Sequence, residues 1–313
     1  MFPTQIYCVF SATANTWERL EWKRTTTIEV PHYCHTYELV AGVFASSDGQ
    51  NLKIFGLPSN KNDGYTQTRT PNLPIRDFAI DPTEDVVAFL EDSTQNQRCI
   101  HIQKISTNAP ISILTFTIPP DDTFHTPMLH FGCNLLGLHY ASRILIWNWK
   151  QDSLIFDSSC ESLPYHIGDF GFLSGGAFLV TSTSLHLYVL NPPSSVTLVA
   201  TLHLPPILPL YRHLTKIGIH SGPLHGRPPS EVVFVPALSE RIQVISVKYG
   251  IFLEYTMFVH TSTLLQYVER YVNGGASPDL VMHWDMWGPH NTRFTKNDVP
   301  RFWLRFVNRR SVN

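Results

Sequence analysis

One strand keeps returning along this chain, and its return interval limits what the chain can fold into. NLKIFGL at 51–57, CIHIQKI at 99–105, RILIWNW at 143–149 and SLHLYVL at 184–190 each carry alternating apolar residues. Superposed on Ile54, Ile102, Ile146 and Tyr188, they repeat at close to the roughly 40 to 45 residues of a four-stranded propeller blade. Further apolar runs follow, as in ISILTFTI at 111–118, SLIF at 153–156 and VTLVATLHL at 196–204. Others come before, as in IRDFAID at 75–81 with DVVAFLED at 85–92, or GDFGFL at 168–173 with GAFLVTS at 176–182. Four short strands per unit, each too greasy to stand alone, ask for neighbouring units to stack against both faces.

The connections carry turn chemistry: Asp81-Pro82, Pro119-Pro120, Gly175-Gly176 and Asn191-Pro192-Pro193. Composition agrees, with 23 prolines and 17 glycines spread along the chain and 43% hydrophobic against 15% charged residues. Helical periodicity is confined to TANTWERLEW at 13–22 and STLLQYVERYV at 262–272. HLTKIGIH, SEVVFVPA, RIQVISVKYG and IFLEYTMFVH between 213 and 260 read as one more four-strand set, interrupted by HSGPLHGRPP. HWDMWGPHNTRF at 283–294 falls where the next blade is due. There Trp284, Met286 and Trp287 are expected to wedge between blades, Gly288-Pro289 to form a corner, and Asn291, Thr292 and Arg293 to open the return strand. The expectation is an all-β propeller of six or seven blades, the last incomplete, with an N-terminal segment and short helix at 1–24 and the propeller at 25–313. TTTIEV at 25–30 is a candidate for closing the ring.

Four stretches carry a family resemblance: LEWKRTTTIEVPHYCHTYELVAGVFA at 20–45, RDFAIDPTEDVVAFLE at 76–91, HWDMWGPHNTRF and RFWLRFVNRR at 301–310. The chain resembles the basidiomycete F-box proteins, whose region after the F-box reads as a propeller. The most distinctive elements are Asp77-x-x-x-Asp81-Pro82 and Trp287-Gly288-Pro289-x-Asn291-Thr292-Arg293. The resemblance implies non-catalytic capture of a target protein for a cullin-type ubiquitin ligase. No Leu-Pro-x-Glu-like F-box helix precedes TANTWERLEW, so an adaptor of the ligase is expected as a partner only if an F-box lies upstream. A free-standing scaffold or truncated duplicate is the alternative, and a propeller hydrolase a remote one.

Residue patterns for chemistry are sparse. Fifteen histidines include the group His32, Cys34 and His35, but on a strand His32 and Cys34 share a face while His35 turns away. That is short of a zinc set. His213, His220 and His225 flank a loop without a metal-binding helix. GxSxG, GxGxxG and GxxxxGK[ST] are absent; Gly171, Gly175 and Gly176 belong to a hairpin. Asp77 is read as accepting backbone hydrogen bonds at a blade corner, and Asp81 and Glu84 as turn residues. No catalytic, cofactor or metal residue is therefore assigned. A formal charge of −2 argues against a nucleic-acid or anionic-membrane partner. Arg301, Arg305, Arg309 and Arg310 among Phe302, Trp303 and Phe306 are read as strand-covering stems, and PPILP at 205–209 as a connection. Five scattered cysteines (Cys8, Cys34, Cys99, Cys133 and Cys160) and no signal-peptide pattern fit the cytoplasm or nucleus. The target itself is expected at the loops 58–72, 92–98, 119–127 and 220–230.

Overall fold

The computed structural model describes residues 5–9, 25–29, 34–57, 63–119, 124, 126–160, 163–164, 166–191, 195–206, 214–220, 222–224, 241–250, 253–275 and 277–296. Strand β1 (Gln5–Val9) pairs antiparallel with β2 (Thr25–Glu29), so the described partner of the 25–30 strand is the N-terminal segment and not a blade. Five four-stranded antiparallel blades follow. Blade 1 is β3 (Thr36–Val40), β4 (Val43–Ser47), β5 (Leu52–Gly56) and β6 (Tyr65–Arg69). Blade 2 is β7 (Ile75–Asp81), β8 (Val86–Glu91), β9 (Gln97–Lys104) and β10 (Pro110–Thr117). Blade 3 is β11 (Met128–Gly132), β12 (Leu135–Tyr140), β13 (Arg143–Asn148) and β14 (Ser153–Asp157). Blade 4 is β15 (Asp169–Ser174), β16 (Ala177–Thr181), β17 (Ser184–Asn191) and β18 (Ser195–His203). In blade 5, β19 (Leu214–Ile219), β20 (Ile242–Tyr249) and β21 (Leu253–His260) are completed by a strand from much later in the chain.

The recurring landmark is the third strand of blades 1 to 4. It sits inside the sheet, buried on both faces in β13 and β17 and mainly on one face in β5 and β9. Ile54 and Ile102 are wholly buried, as is Ile146, and Tyr188 is nearly so. The apolar clusters lie between blades. Val87 and Phe89 of β8 pack with Ile54 and Leu52 of blade 1, while Ala88 and Leu90 turn the other way onto Leu129 and Leu138 of blade 3. Strand alternation thus feeds two cores from one blade. Phe170 and Phe178 repeat the pattern between blades 3 and 4. The Phe170 ring lies so close to Gly137 of β12 that a side chain there would collide with it. The tight β3–β4 hairpin holds Ala41 at φ 48° and Gly42 at φ 77°, the left-handed pair that a two-residue turn of this hand requires.

Five blades, not six or seven, stand among the described residues. The 283–294 stretch, expected to stand in another blade, instead lies against blades 4 and 5, preceded by a helix where the 262–272 stripe is expected to form one. Helix α1 (Thr261–Val272) buries Thr261, Leu264 and Val268, the i, i+3, i+7 stripe of an amphipathic helix. It ends at Asn273 and Gly274, the latter at φ 71°, where the Gly275 amide donates back to Arg270 O at 2.8 Å. Strand β22 (Leu280–Met282) then runs parallel to β18 and extends blade 4 to five strands. Helix α2 (Trp284–Asn291) follows, and β23 (Thr292–Lys296) pairs with β21 as the outer strand of blade 5. SEVVFVPA and the amphipathic stretch 13–22 lie outside the described residues. Gly288 and Pro289 are helical, not a corner between strands. The physical reason is the three-residue step from Trp284 to Trp287. A strand would send the two rings to opposite faces, whereas a helix brings them to one side.

Candidate functional site

The first strands of consecutive blades pack side by side, β3 on β7, β7 on β11, β11 on β15 and β15 on β19. Carboxylates bind three of these four steps. A Glu38 side-chain oxygen accepts the Ile80 amide at 2.7 Å, Asp77 that of Leu129 at 3.0 Å, and Asp169 that of Ile219 at 2.8 Å. Each is buried, and charge-assisted bonds to backbone amides offset the cost of taking the carboxylate out of water. At the remaining step the His130 ring stands edge-on to Phe170 at 5.2 Å. Asp77 therefore bridges two blades, a longer reach than the blade corner expected of it.

His139 lies behind the Asp169 clamp, its Nδ1 3.9 Å from Oδ1 and its Nε2 donating to Ala141 O at 3.1 Å. Burial pushes its pKa down to about 4, against the pull of the Ala141 carbonyl. Asp169 itself accepts the amides of Phe170 and Ile219. Asp81 accepts the Thr83 amide at 2.9 Å and its hydroxyl at 2.6 Å, which fixes the turn through Pro82. Glu84 in the same turn pairs with Lys150 of blade 3 at 2.8 Å.

A cleft of about 350 Å³ opens on one rim, between blades 1, 2 and 3. Antiparallel blades send their second-to-third connections and their blade-to-blade linkers to the same rim. Here those segments supply His35, Asp48, Gln50, Asp92 and Thr126, and the start of β7 supplies Arg76. Backbone bonds hold the wall in place: the Ile75 amide donates to Gly49 O at 2.7 Å and the Asp92 amide to Pro74 O at 2.9 Å. Gly49, at φ 93°, makes the tight β4–β5 turn. Burial works against the charge of Asp48, but bonds from Asn51 and Gln50 outweigh it and hold the carboxyl below the usual range. Arg76 and Asp92 stand 4.0 Å apart and half exposed, a loose pair that water or a ligand can separate. Acceptors, a guanidinium and an imidazole around Ile75 and Pro127 suit a polar protein segment better than an apolar ligand.

The expected loops divide between the rims. Connections 92–96 and 118–127 leave at the cleft rim, and so does the end of 58–72, where Thr70 follows strand β6 and donates to Asn51 Oδ1 at 2.7 Å, whereas the β5–β6 and β19–β20 connections leave at the opposite rim. Of the histidine group, His35 lines the cleft and the Cys34 thiol donates to Thr36 O at 3.4 Å, with burial raising its pKa to about 11. His32 lies outside the described residues, as do His213, His225 and the 301–310 arginines. His220 shares a 2.7 Å hydrogen bond with Ser246. Pro205 accepts a bond from Tyr249 at 3.1 Å.

The HWDMWGPHNTRF residues sit far along the chain, on blades 4 and 5. Trp287 is fully buried and donates its indole N–H to His203 O of β18 at 2.9 Å. Trp284 packs edge-on against Trp287 at 5.3 Å and folds over Gly288, where a side chain would collide with the ring. Asn291 donates to Trp287 O at 2.6 Å and Thr292 to Gly288 O at 2.8 Å, closing the helix past Pro289. Arg293 is exposed on β23, opposite Phe258. Met286 is 68% exposed and wedges nothing. The rim residues Gln50, Arg76 and Asp92 carry no sequence signal; only the blade register brings them together.

No family model matches the chain, and no curated protein matches it. Among solved structures it is similar to Hsv2p of Kluyveromyces lactis, at 12% identity and a TM-score of 0.43, with 75% of this chain and 70% of that one covered. A functionally unknown protein from Desulfotomaculum acetoxidans is 13% identical with a TM-score of 0.46, at 75% and 67% coverage. The WD40 β-propeller domain of Doa1 is 12% identical with a TM-score of 0.41, at 73% and 65% coverage. Among the described residues no helix is long and apolar enough to cross a membrane.

Proposed function

We propose that this propeller is a non-catalytic recognition module that holds a segment of another protein in the rim cleft of blades 1 to 3. The observation that carries the reading is the cleft itself, a concave polar site assembled from three blades on rigid hairpin ends. A binding role in place of catalysis is supported by the axial carboxylates, since Glu38, Asp77 and Asp169 are each engaged in holding blades together. The resemblance of the sequence to F-box proteins gives the finer form: the captured protein is a ubiquitin-ligase target in the cytoplasm or nucleus. An F-box encoded ahead of this chain would then dock the ligase adaptor. Without one the module acts as a free-standing scaffold.

Affinity purification with the intact chain tests the binding reading. A specific partner is expected to be lost when Arg76→Glu and Asp92→Lys are combined, and kept when Thr107→Lys alters the opposite rim. Equal recovery by the two variants would remove the cleft from the account. Recovery of a cullin adaptor only by the chain extended upstream would support the ligase form.

A further inference from the structure

Blade 2 brings together three side chains that no linear motif announces. Strand β9 carries Cys99 and His101 two residues apart, hence on one face. Strand β8 pairs Phe89 with His101 and Leu90 with Ile100, so one further step sets Glu91 opposite Cys99. The carboxylate, thiol and imidazole each direct a donor atom into one space, all within 4.8 Å of one another. We propose that Glu91, Cys99 and His101 form a binding site for a zinc-like divalent cation, with a fourth position open to water.

Three features favour this over a simple polar contact. The His101 Nε2 to Glu91 Oε2 distance is 3.4 Å, at the weak end for a hydrogen bond, and Cys99 is a free thiol. Donor atoms of a tetrahedral zinc site lie about 3.4 Å apart, given metal–ligand distances near 2.0 to 2.3 Å, so side-chain rotations of about 1 Å complete the set. The β8–β9 ladder need not move. Charge also balances: a thiolate and a carboxylate neutralise a dication, which suits side chains that are 21% exposed at His101 and 32% at Glu91. Those openings leave a path for the ion. Thiolate, imidazole and carboxylate together select zinc over the hard ions calcium and magnesium. A bound ion would tie β8 to β9 beside the 92–96 connection, one residue from the Asp92 wall of the rim cleft.

The test uses the full chain, stripped with a chelator and titrated with zinc against a chromophoric competitor. A parallel titration with cobalt reports a sulfur-to-metal charge-transfer band. One equivalent is expected to bind, with the band present. Cys99→Ser should abolish the band, and Cys99→Ser and His101→Ala should each weaken zinc by at least about tenfold. Cys34→Ser and Cys133→Ser should change neither. Circular dichroism melts confirm that each variant is folded, and Glu91→Gln, nearly isosteric, serves where a larger change unfolds the chain. Failure to bind zinc, or binding that survives Cys99→Ser, His101→Ala and Glu91→Gln alike, would overturn the proposal.

Discussion

Blade 3 and blade 5 carry the same four-stranded sheet but close it in different ways. Blade 3 takes its strands in chain order from 128 to 157. Arg143 ties its outer strand to its third, holding Asp157 through two bonds of 2.9 and 2.6 Å while also reaching Tyr140 and the Thr117 carbonyl. Blade 5 leaves its third strand at His260, spends α1, β22 and α2 on covering the edges of blades 4 and 5, and only then returns with β23. Its outer strand is therefore delivered through Trp287, which is anchored on blade 4, and through Tyr255 stacked on Phe294 at 4.8 Å. A locally closed blade depends on its own register. A remotely closed one depends on its neighbour.

That contrast is broken most strongly at Trp287. Trp287→Ala removes a buried ring and its bond to His203, and should cost about 3 to 5 kcal/mol in urea unfolding. Hydrogen exchange should rise in β22 and β23 while β12 and β13 stay protected. Asp77→Ala comes next: it orphans the Leu129 amide between blades 2 and 3 and should cost up to about 3 kcal/mol, with Asp77→Asn milder because an acceptor remains. Its effect should fall on the ordered blades and spare β23.

Acid probes the clamp between blades 4 and 5. His139 has a folded pKa of about 4, below its unfolded value near 6.5, so the unfolded chain takes up the proton first. Its contribution is present above about pH 6.5 and is lost as the pH falls towards 4, amounting to on the order of 1 kcal/mol by about pH 5.5. His139→Gln should flatten that part of the stability profile. The smallest effect belongs to Arg143→Lys, which keeps the charge but loses the forked geometry to Asp157, and should cost about 1 kcal/mol or less.

The same division explains what could be read from the sequence. Ile54, Ile102, Ile146 and Tyr188 mark third strands correctly because an inner strand that turns a face into the core between blades must be apolar at alternate positions, and it recurs once per blade. In the region after His260 that logic fails. A three-residue strand such as Leu280–Met282, paired in parallel to a strand almost eighty residues earlier, has no local pattern, and Gly288-Pro289 looks like a turn until Trp287 is seen anchoring a helix. The expected six or seven blades exceed the five among the described residues for that reason. The rim cleft and the Glu91, Cys99 and His101 group were illegible for a related one. Spacing rules look along one strand, and these sites are built across register and between blades. The alternation argument applied to His32 and Cys34 holds equally for Cys99 and His101, but its third donor comes from the neighbouring strand.

The pairing of β23 with β21 carries the remote closure of blade 5, and a cysteine pair reads it directly. Thr256 and Thr295 are opposite one another in that ladder. Thr256→Cys with Thr295→Cys, mildly oxidised in the folded chain and mapped by mass spectrometry, should give a disulfide between these two positions. Thr256→Cys with Phe294→Cys, one step out of register, should not. A disulfide in the second pair but not the first, or none in either while the chain remains folded, would contradict a fifth blade closed by the strand at 292–296.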